Sequence, residues 1–320
     1  MKAVYRTKYG SPEVLSIKEV AVPDINENEI LVKVLATTVN RTDCAILKAQ
    51  PFLMRFFTGL LKPRSPIPGT DFAGIVEKAG KQATTFKAGD RVFGFNDQGI
   101  ASQAQYMSIR EDKAISIIPE NINFQQAAAS LEGVHYALNF INKISIKPGQ
   151  KILVNGATGA IGSASIQMLK YLEADVTATC STQNIDLVKS MGADKVIDYT
   201  REDFTKVGEK FDYVFDSVGK STFGKCKPLL SDKGIYISSE LGPMIQNPFL
   251  ALFTPLSGGK KVIFPIPLNT KASIMYIKGL IEKGKFKPLI DRVYNLAEIR
   301  EAYNYAGSGQ KTGNVILDFS

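Results

Sequence analysis

Lys151-Ile152-Leu153-Val154-Asn155-Gly156-Ala157-Thr158-Gly159-Ala160-Ile161-Gly162 is the stretch that decides the fold of this chain. The apolar run predicts a short buried strand, and the spacing of apolar residues from Ile161 to Leu172 predicts a helix immediately after it. Glycines in the order G-x-x-G-x-x-G let the backbone turn sharply and let a pyrophosphate approach the helix N-terminus closely. A glycine-rich turn without a ligand is the structural alternative, but the strand–loop–helix context favours a dinucleotide site. Its predicted residues are Gly156, Ala157, Thr158, Gly159, Ala160, Ile161 and Gly162.

Strands and helices continue to alternate after this loop. Alternation of this kind is typical of a parallel, doubly wound sheet, and we predict a Rossmann domain over residues 122–264. Helical spacing over Gln125–Ile141 precedes the loop. The predicted elements after it are strand Asp175–Thr179, helix Ile185–Met191, strand Lys195–Ile197, strand Tyr213–Phe215, helix Phe223–Leu230, strand Gly234–Ser238 and a sixth strand at Lys261–Phe264.

The two ends of the chain have a different pattern. Residues 1–121 consist of short β-branched and apolar runs separated by turns, which indicates an irregular β domain. Residues 265–320 contain a predicted helix near Lys271–Glu282 and a final strand near Gly313–Phe319. The fold class expected from the whole pattern is α/β with two domains, in keeping with a length of 320 residues.

The residues after the second Rossmann strand indicate which dinucleotide binds. An enzyme that uses NAD carries an acid there to hydrogen-bond the ribose 2′-hydroxyl. This chain has Cys180, Ser181 and Thr182 instead, and no acid occurs before Asp186. Because small hydroxyls leave room for a 2′-phosphate, we predict NADP(H). No lysine or arginine lies in this loop.

Composition excludes several classes of protein. One histidine, His135, and three separated cysteines make a catalytic zinc site difficult to build. A metal site from Glu132 and His135, three residues apart on a helix, is the weaker alternative to a packed histidine. The net charge of +8 comes from scattered lysines, so a nucleic-acid surface is not predicted. Neither a secretory signal nor a spanning segment is recognisable, so we expect a cytoplasmic protein.

The order of motifs resembles the medium-chain dehydrogenase/reductase superfamily, in its zinc-independent quinone oxidoreductase branch. The resemblance implies a GroES-like catalytic domain built from residues 1–121 and 265–320, an NADP(H) cofactor, an alcohol dehydrogenase-like architecture and a homodimer. The stretches that carry it are Val39–Asp43, Pro68–Gly74, Gly89–Gly94, the glycine loop, Gly192–Tyr199, Phe211–Gly219 and Gly284–Pro288.

The same resemblance implies roles for individual residues. Asn40 is expected beside the nicotinamide, where it would orient the carboxamide or a substrate oxygen; a turn-forming asparagine is the alternative. Asp43 lies nearby, as a catalytic candidate or as a structural cap. Tyr199 is expected at the adenosine end, and Ser217 and Val218 are expected to line the cofactor site. Zinc-using relatives have Gly-His-Glu where this chain has Gly69-Thr70-Asp71, so no metal ligand is predicted.

Phe52–Leu61 is an unusual apolar segment with Arg55, Lys62 and Arg64 around it. It could form a wall for an apolar substrate, cover the core of the first domain, or contact a membrane surface together with Phe249–Phe253. The leading function is hydride transfer from NADPH to a quinone or an α,β-unsaturated carbonyl. The alternatives are an alcohol or aldehyde dehydrogenase of the same superfamily, and a non-catalytic NADPH-binding sensor or membrane-surface protein.

Overall fold

A computed structural model describes residues 1–52 and 54–319, and it divides the chain into two compact units. Unit 1 comprises Met1–Glu132 and Asn269–Ser320, and unit 2 comprises Gly133–Leu268. Leu53, in the unusual apolar segment, and Ser320 lie outside the described residues. Within the described part, no helix is long and apolar enough to cross a membrane.

The helices and strands are labelled in chain order. Residues before Gly133 contain β1 (Lys2–Tyr5), β2 (Ser16–Glu19), β3 (Glu29–Thr38), α1 (Arg41–Lys48), α2 (Met54–Thr58), β4 (Asp71–Ala79), β5 (Arg91–Phe95), β6 (Tyr106–Arg110), β7 (Ile115–Ile117), α3 (Phe124–Ala129) and the start of α4 (Glu132–Ile141). Then follow β8 (Lys151–Asn155), α5 (Ala160–Tyr171), β9 (Asp175–Cys180), α6 (Ile185–Ser190), β10 (Lys195–Asp198), β11 (Phe211–Asp216), α7 (Phe223–Cys226), β12 (Leu230–Ile237), α8 (Gln246–Phe253) and β13 (Lys261–Ile263). The chain ends with α9 (Thr270–Glu282), β14 (Ile290–Asn295), α10 (Ile299–Gly307) and β15 (Asn314–Asp318).

Unit 2 is built on a parallel sheet whose strand order, within residues 133–268, is β10-β9-β8-β11-β12-β13. When these six strands are numbered along the chain, their order across the sheet is 3-2-1-4-5-6. The direction in which successive strands are added reverses between β8 and β11. In such sheets the ligand crevice lies outside the carboxyl ends of the strands at this switch point. Buried runs such as Ile152–Val154 explain the strands, since strands covered on both faces are continuously apolar.

Unit 1 is organised around the long strand β3. It pairs antiparallel with β4, β6 and β15. Among the described residues, the strand order of this sheet is β14-β15-β3-β4-β5-β7, and β6 pairs with β3 outside this path. Ile316 of β15 lies opposite Thr38 of β3, so the end of the chain completes the sheet that the beginning starts. The predicted α/β class, with an irregular β domain and a Rossmann sheet, is confirmed.

The chain from Gln125 to Ile141 differs from the single helix that the spacing predicts. It forms two helices, α3 and α4, interrupted at Ser130–Leu131. Asn123 caps α3 by accepting the Gln126 N–H at 2.8 Å, and α3 packs against β3 and β4 in unit 1. Gly133, in contrast, packs on the Ala160 backbone in unit 2, where an added Cβ would lie 2.6 Å from the carbonyl oxygen. Packing of the two helices in different units explains the break.

The unit boundaries accordingly differ from those expected. The first falls at Glu132/Gly133 rather than 121/122, because α3 belongs to the β-rich unit. The second falls at Leu268/Asn269 rather than 264/265, and the Leu268 N–H donates to Asn139 Oδ1 at 3.1 Å within unit 2. Periodicity detects where helices begin, but it does not report the core against which they pack.

Candidate active site

The glycine loop folds tightly against the start of α5. Gly156 has a φ of +84°, which favours glycine, and a Cβ there would lie 2.2 Å from Val218 Cγ1. Gly162 is packed even more tightly, because a Cβ there would lie 2.1 Å from the Gly156 carbonyl oxygen. Gly159 is different: its Cβ would lie 3.7 Å from the Gly156 carbonyl oxygen, an ordinary van der Waals contact. The loop therefore needs two of its glycines for packing, and a small side chain would fit at the third.

Hydrogen bonds join the carboxyl ends of β8, β9 and β11 below this loop. The Gly156 N–H donates to Thr179 Oγ1 at 3.1 Å, and that hydroxyl donates to Asn155 Oδ1 at 2.8 Å. Asn155 Nδ2 in turn donates to Asp216 Oδ1 at 3.0 Å. The three strand ends are thus held in register at the switch point, which gives the loop a rigid base.

Ser217 and Val218 follow β11 on the other side of the switch point. The Ser217 N–H donates to the Asn155 carbonyl at 3.1 Å, while the Ser217 hydroxyl is buried and has no hydrogen-bond partner among the described residues. An unsatisfied buried hydroxyl costs stability unless a ligand completes it. Its position beside the glycine loop suits a hydrogen bond to a bound dinucleotide.

Cys180, Ser181 and Thr182 lie at the end of β9, next to Tyr199 at the end of β10. Burial raises the pKa of the Cys180 thiol to about 11, so this side chain is an unreactive part of the wall. Ser181 Oγ accepts the Asn184 amide at 3.1 Å and keeps its own proton for a ligand. The Thr182 hydroxyl instead donates to Asp198, which leaves Ser181 as the better donor to a phosphate.

Arg201, which no motif in the sequence marks, is a cation near the residues that follow β9. Its Nε lies 3.5 Å from Asp198 Oδ2, and three quarters of its side chain is exposed. Asp198 also accepts from Thr182, so the guanidinium lies in the same group of side chains as the predicted 2′-phosphate site. No sequence signal marks this residue, because the distance between Thr182 and Arg201 along the chain is closed only by the pairing of β9 with β10.

In unit 1, Asn40 is almost fully buried at the start of α1. Its Nδ2 donates to Asp71 Oδ2 at 3.2 Å and also to Thr38 Oγ1. These bonds orient the amide, since a carboxylate can only accept and so must face the nitrogen end. The oxygen end, Oδ1, is buried and faces the main-chain N–H of Asp43 in the capping box of α1, but it makes no hydrogen bond of ordinary geometry in the described part of the chain. Asn40 therefore offers an acceptor, which suits an N–H or O–H group and not the oxygen of a substrate carbonyl.

Asp43 and Asp71 are the buried acids around this asparagine. Asp43 Oδ2 accepts the Asn40 N–H at 2.9 Å, which is the bond of a helix cap, and the Thr70 hydroxyl at 3.4 Å. Burial, followed by repulsion from Asp71 and Glu132, raises the pKa of Asp43 well above its usual 3.8. Burial also raises the pKa of Asp71 to about 6, although hydrogen bonds from Thr38 and Thr37 oppose this rise.

Glu132 is a third buried acid in unit 1, and its partner is Thr42. The half-buried Thr42 hydroxyl, in the first turn of α1, donates to Glu132 Oε1. Burial raises the pKa of Glu132 from 4.5 to about 7, although Thr42 and Lys311 lower it. Such a carboxyl holds a proton near neutral pH. The sequence marks Glu132 only as a residue near His135 on a helix; its burial could not be foreseen.

His135 belongs to unit 2 and is buried there. Burial lowers its pKa to about 4, so the imidazole is neutral at physiological pH. Its main-chain carbonyl accepts the Asn139 amide at 2.8 Å. Among residues 1–52 and 54–319, no group of three or more His, Cys, Asp or Glu side chains is arranged to hold a metal ion.

Several described residues of the unusual apolar segment lie on the surface of unit 1. Four of its described residues, Phe52, Phe56, Phe57 and Leu60, are more than half exposed, and Leu61 is more exposed still. The interpretation that this segment covers the core is therefore wrong for these side chains. The Arg55 guanidinium lies 5.4 Å from the Phe52 ring and 5.1 Å from the Tyr9 ring, which holds one end of α2 in place.

Comparison with known proteins supports the fold of a GroES-like β unit and a Rossmann unit. The model of the alcohol dehydrogenase GroES-like domain matches residues 26–120, and a second model, described as zinc-binding dehydrogenase, matches residues 191–317. A 2-methylene-furan-3-one reductase from Solanum lycopersicum is 32% identical over 99% of this chain and 79% of its own length. A chloroplastic quinone-oxidoreductase homolog from Spinacia oleracea is 31% identical over 99% of this chain and 98% of its own.

The solved structure of Escherichia coli quinone oxidoreductase complexed with NADPH superposes with a TM-score of 0.81. It is 28% identical, and the match covers 99% of this chain and 100% of that one. A GroES-like β unit together with a Rossmann unit that carries a glycine loop defines a dehydrogenase/reductase of the two-unit type. The chain belongs to the medium-chain dehydrogenase/reductase superfamily, in its quinone oxidoreductase branch.

Proposed function

We propose that this protein is an NADPH-dependent, zinc-independent reductase that transfers a hydride to a quinone or an α,β-unsaturated carbonyl. The observation that carries the proposal is the glycine loop at the switch point of a 3-2-1-4-5-6 sheet, with the buried, unpartnered Ser217 hydroxyl beside it. The names of the furanone reductase and the quinone oxidoreductases among its relatives support the same two substrate classes.

The residues of unit 2 fit a dinucleotide. Loop N–H groups and the N-terminus of α5 would hold the pyrophosphate beside Gly159, where the missing side chain allows a close approach. Ser181, Tyr199 and Arg201 would hold the adenosine end and its 2′-phosphate. When bound, NADPH supplies the hydride. The residues proposed to line its site are Gly156, Ala157, Thr158, Gly159, Ala160, Ile161, Gly162, Cys180, Ser181, Thr182, Tyr199, Ser217 and Val218.

Replacing Arg201 with glutamine is expected to raise the KM for NADPH about tenfold and to leave the KM for NADH unchanged, because only NADPH has the 2′-phosphate. Steady-state kinetics with both cofactors measures the effect. Lys206→Gln is the matched control, since Lys206 is an exposed cation whose Nζ lies 3.5 Å from Asp203, also three residues away. Equal effects of Arg201→Gln on both cofactors would contradict the assignment.

In unit 1, Asn40 and Asp43 are the proposed catalytic and positioning residues. Asp71 and Thr38 hold the amide of Asn40 by its nitrogen, so Oδ1 would accept an N–H bond from the nicotinamide carboxamide. Asp43 fixes the backbone of Asn40 and therefore acts through it. Of the two roles expected for Asn40, we therefore propose the one at the nicotinamide carboxamide. An acceptor such as Oδ1 does not stabilise developing negative charge on a substrate oxygen.

Replacing Asn40 with alanine is expected to lower kcat/KM for NADPH oxidation about tenfold or more, through loss of one hydrogen bond to a bound group. Asn123→Ala is the control, because Asn123 also caps a helix in unit 1 and accepts the N–H of the third helical residue. The control variant should lose about 1 kcal/mol of stability without losing activity. If Asn40→Ala lowers stability but leaves kcat/KM unchanged, Asn40 acts only as the cap of α1.

Glu132 and Thr42 supply the proton in this proposal. Hydride addition to the β-carbon of an enone leaves an enolate, which must gain one proton to give the ketone. The Glu132 carboxyl would give its proton to the Thr42 oxygen while the Thr42 hydroxyl, turned towards the enolate, gives its own proton to the substrate. The two side chains are already in hydrogen-bond contact, and Thr42 is the more exposed of the two. The carboxylate would regain a proton from water. No metal is needed, since hydrogen-bond donors and this acid meet the charge on oxygen.

The decisive test is oxidation of NADPH and of NADH by the purified, metal-chelated protein, with a small quinone and a short enone as acceptors. We expect turnover that prefers NADPH and survives chelation. Turnover that requires a metal would overturn the zinc-free mechanism, and oxidation of a primary alcohol in preference to enone reduction would favour the alcohol dehydrogenase alternative. Cofactor binding without any turnover would favour the sensor. The homodimer and the cytoplasmic location stay predictions.

A further inference from the structure

Two arginine side chains of unit 1 lie against one tyrosine ring. The guanidinium carbon of Arg6 is 5.7 Å from the centre of the Tyr9 ring, and that of Arg55 is 5.1 Å from the same point. The ring is fixed in place, because the Tyr9 hydroxyl donates to the Gly59 carbonyl at 2.6 Å and lies 2.9 Å from Thr58 Oγ1. We call Arg6, Tyr9 and Arg55 the Tyr9 cluster.

Arg6 is the buried member of this cluster, with only 4% of its surface exposed. Its Nη1 donates to the Ile46 carbonyl at 2.9 Å, but its buried Nε has no hydrogen-bond partner in the described part of the chain. Burial lowers the pKa of Arg6 below the usual 12.5, and the nearby Tyr303, Tyr9 and Asp43 oppose this only in part. Because a guanidinium stays charged at physiological pH, the fold retains a buried cation that the described residues do not pair with a carboxylate.

Arg55, in α2, is half-buried, and its Nε is likewise buried without a partner among residues 1–52 and 54–319. Its guanidinium contacts two aromatic rings, those of Tyr9 and of Phe52, which is 5.4 Å away. Aromatic rings hold a cation in position, but they neither accept its N–H bonds in full nor neutralise its charge. Both arginines therefore keep buried N–H donors that a ligand could satisfy.

Acids are scarce near these two cations. The stretch Cys44–Thr70 contains four lysines or arginines and no acid, and Met1–Pro12 contains three and no acid. Glu13, the first acid of the chain, lies 3.3 Å from Arg300. Asp43 accepts no hydrogen bond from either arginine among the described residues, and its Oδ1 has no partner. Positive charge without nearby compensation favours an anion.

The donors of the Tyr9 cluster restrict the kind of ligand. A metal cation would be repelled, and an apolar molecule would leave the buried N–H groups unsatisfied. The planar N–H fork of a guanidinium matches the oxygens of a carboxylate or a phosphate, and charge-assisted bonds of this kind are strong. An oxyanion satisfies both the donors and the charge.

We propose that the Tyr9 cluster is a binding site for an oxyanion, a phosphate or a carboxylate, whose oxygens accept N–H bonds from Arg6 and Arg55. The proposal goes beyond the reductase function and does not depend on it. The oxyanion belongs either to a free anion or to the charged end of a larger substrate.

Thermal unfolding of the full chain in rising concentrations of inorganic phosphate, and in a second series of acetate, tests this proposal at an ionic strength kept constant with chloride. We expect at least one anion to raise the Tm with saturation, because a ligand that binds only the folded state stabilises it. Arg6→Met and Arg55→Gln are each expected to weaken that binding at least roughly tenfold. Without the anion, Arg6→Met should unfold at the wild-type temperature or above it, since it removes a buried charge.

Arg292→Gln is the matched control, because the exposed Arg292 guanidinium also lies over a tyrosine ring, 3.8 Å from the centre of Tyr305. The control should respond to phosphate as the wild type does, which accounts for the general stabilising effect of phosphate in the solvent. A wild type that responds to neither anion, or an equal response in wild type, Arg6→Met and Arg55→Gln, overturns the proposal. Arg55→Gln keeps the test decisive if Arg6→Met does not fold.

NADPH oxidation then identifies the source of the oxyanion. Inhibition by phosphate of the reduction of an enone that carries a carboxylate, but not of a neutral enone, assigns the site to the charged end of a substrate. Binding of phosphate that changes neither rate assigns the site to a free anion. Absence of turnover with both enones would contradict the reductase function, and it would leave the anion-dependent rise in Tm as it is.

Discussion

Replacing Gly162 with alanine is expected to weaken NADPH binding at least roughly 100-fold, because the loss of two charge-assisted bonds has that magnitude. The added Cβ would lie 2.1 Å from the Gly156 carbonyl oxygen, a backbone atom that cannot rotate away. Either the loop or the start of α5 must shift, and N–H groups aimed at the pyrophosphate would shift with it. Overpacking of this kind should also destabilise the protein by about 2–3 kcal/mol.

Substitutions at two other glycines distinguish effects on packing from effects on NADPH binding. Gly208→Ala should change neither property, since no atom lies within 4 Å of its Cβ position. Gly159→Ala should leave stability near the wild-type value, because its Cβ would make only an ordinary contact, 3.7 Å from the Gly156 carbonyl oxygen. It should weaken NADPH binding, because the added methyl group would lie where the pyrophosphate is proposed to approach. Fluorescence titration with NADPH and thermal unfolding measure the two effects. Wild-type NADPH affinity in both Gly162→Ala and Gly159→Ala would remove the loop from the cofactor site.

Replacing Glu132 with glutamine is expected to lower kcat for an enone about 100-fold, the ordinary contribution of a general acid. Glutamine keeps the size of the side chain and an oxygen for the Thr42 hydroxyl, but it has no proton to give. The wild-type rate should fall as pH rises through about 7, since Glu132 must be protonated to act and its pKa is about 7. That limb of the pH profile should be absent in the variant.

Glu132→Gln, which is expected to lower kcat, should increase the stability of the folded protein above neutral pH. Burial raises the folded-state pKa of Glu132 from 4.5 to about 7, so its contribution to stability is present below its unfolded pKa and lost as pH rises through 7. The loss is about 3 kcal/mol for a shift of this size. Glu132→Gln should therefore match the wild type only below the ordinary pKa of 4.5 and exceed its free energy of unfolding by about 1–3 kcal/mol near and above neutral pH.

Denaturant unfolding across pH measures this difference. A variant that is more stable yet much slower shows that the buried acid serves catalysis. A variant that is less stable at every pH, with an unchanged pH profile, would show that Glu132 has only a structural role. Thr42→Val provides a second check, because it removes the hydroxyl path while it keeps the carboxyl.

The elements of the Rossmann unit were largely predictable from local pattern. Each predicted strand from Lys151 to Phe264 overlaps an observed one, since continuous apolar runs and glycine turns are local signals. The helix predicted over 125–141 failed for a non-local reason. Its apolar spacing is continuous, but α3 packs on β3 and Gly133 on Ala160, which belong to different units.

The candidate site was predictable only in part. Glycine spacing located the loop, and Ser217 could be placed because it follows a strand. Thr182, however, donates its proton to Asp198, and this pairing across β9 and β10 could not be inferred from either residue alone. Arg201 entered the site by the same pairing, since Asp198 holds it.

What the sequence by itself determined is the class of the protein. The order of strand, glycine loop and helix, the absence of an acid after the second strand and the scarcity of zinc ligands are all properties of composition and spacing. Tertiary structure alone decided the protonation chemistry. Asp43, Asp71 and Glu132 are distant in sequence and ordinary as residue types, but burial in unit 1 raises the pKa of each. A pKa depends on solvent access and on neighbouring charge, and both exist only once the chain has folded.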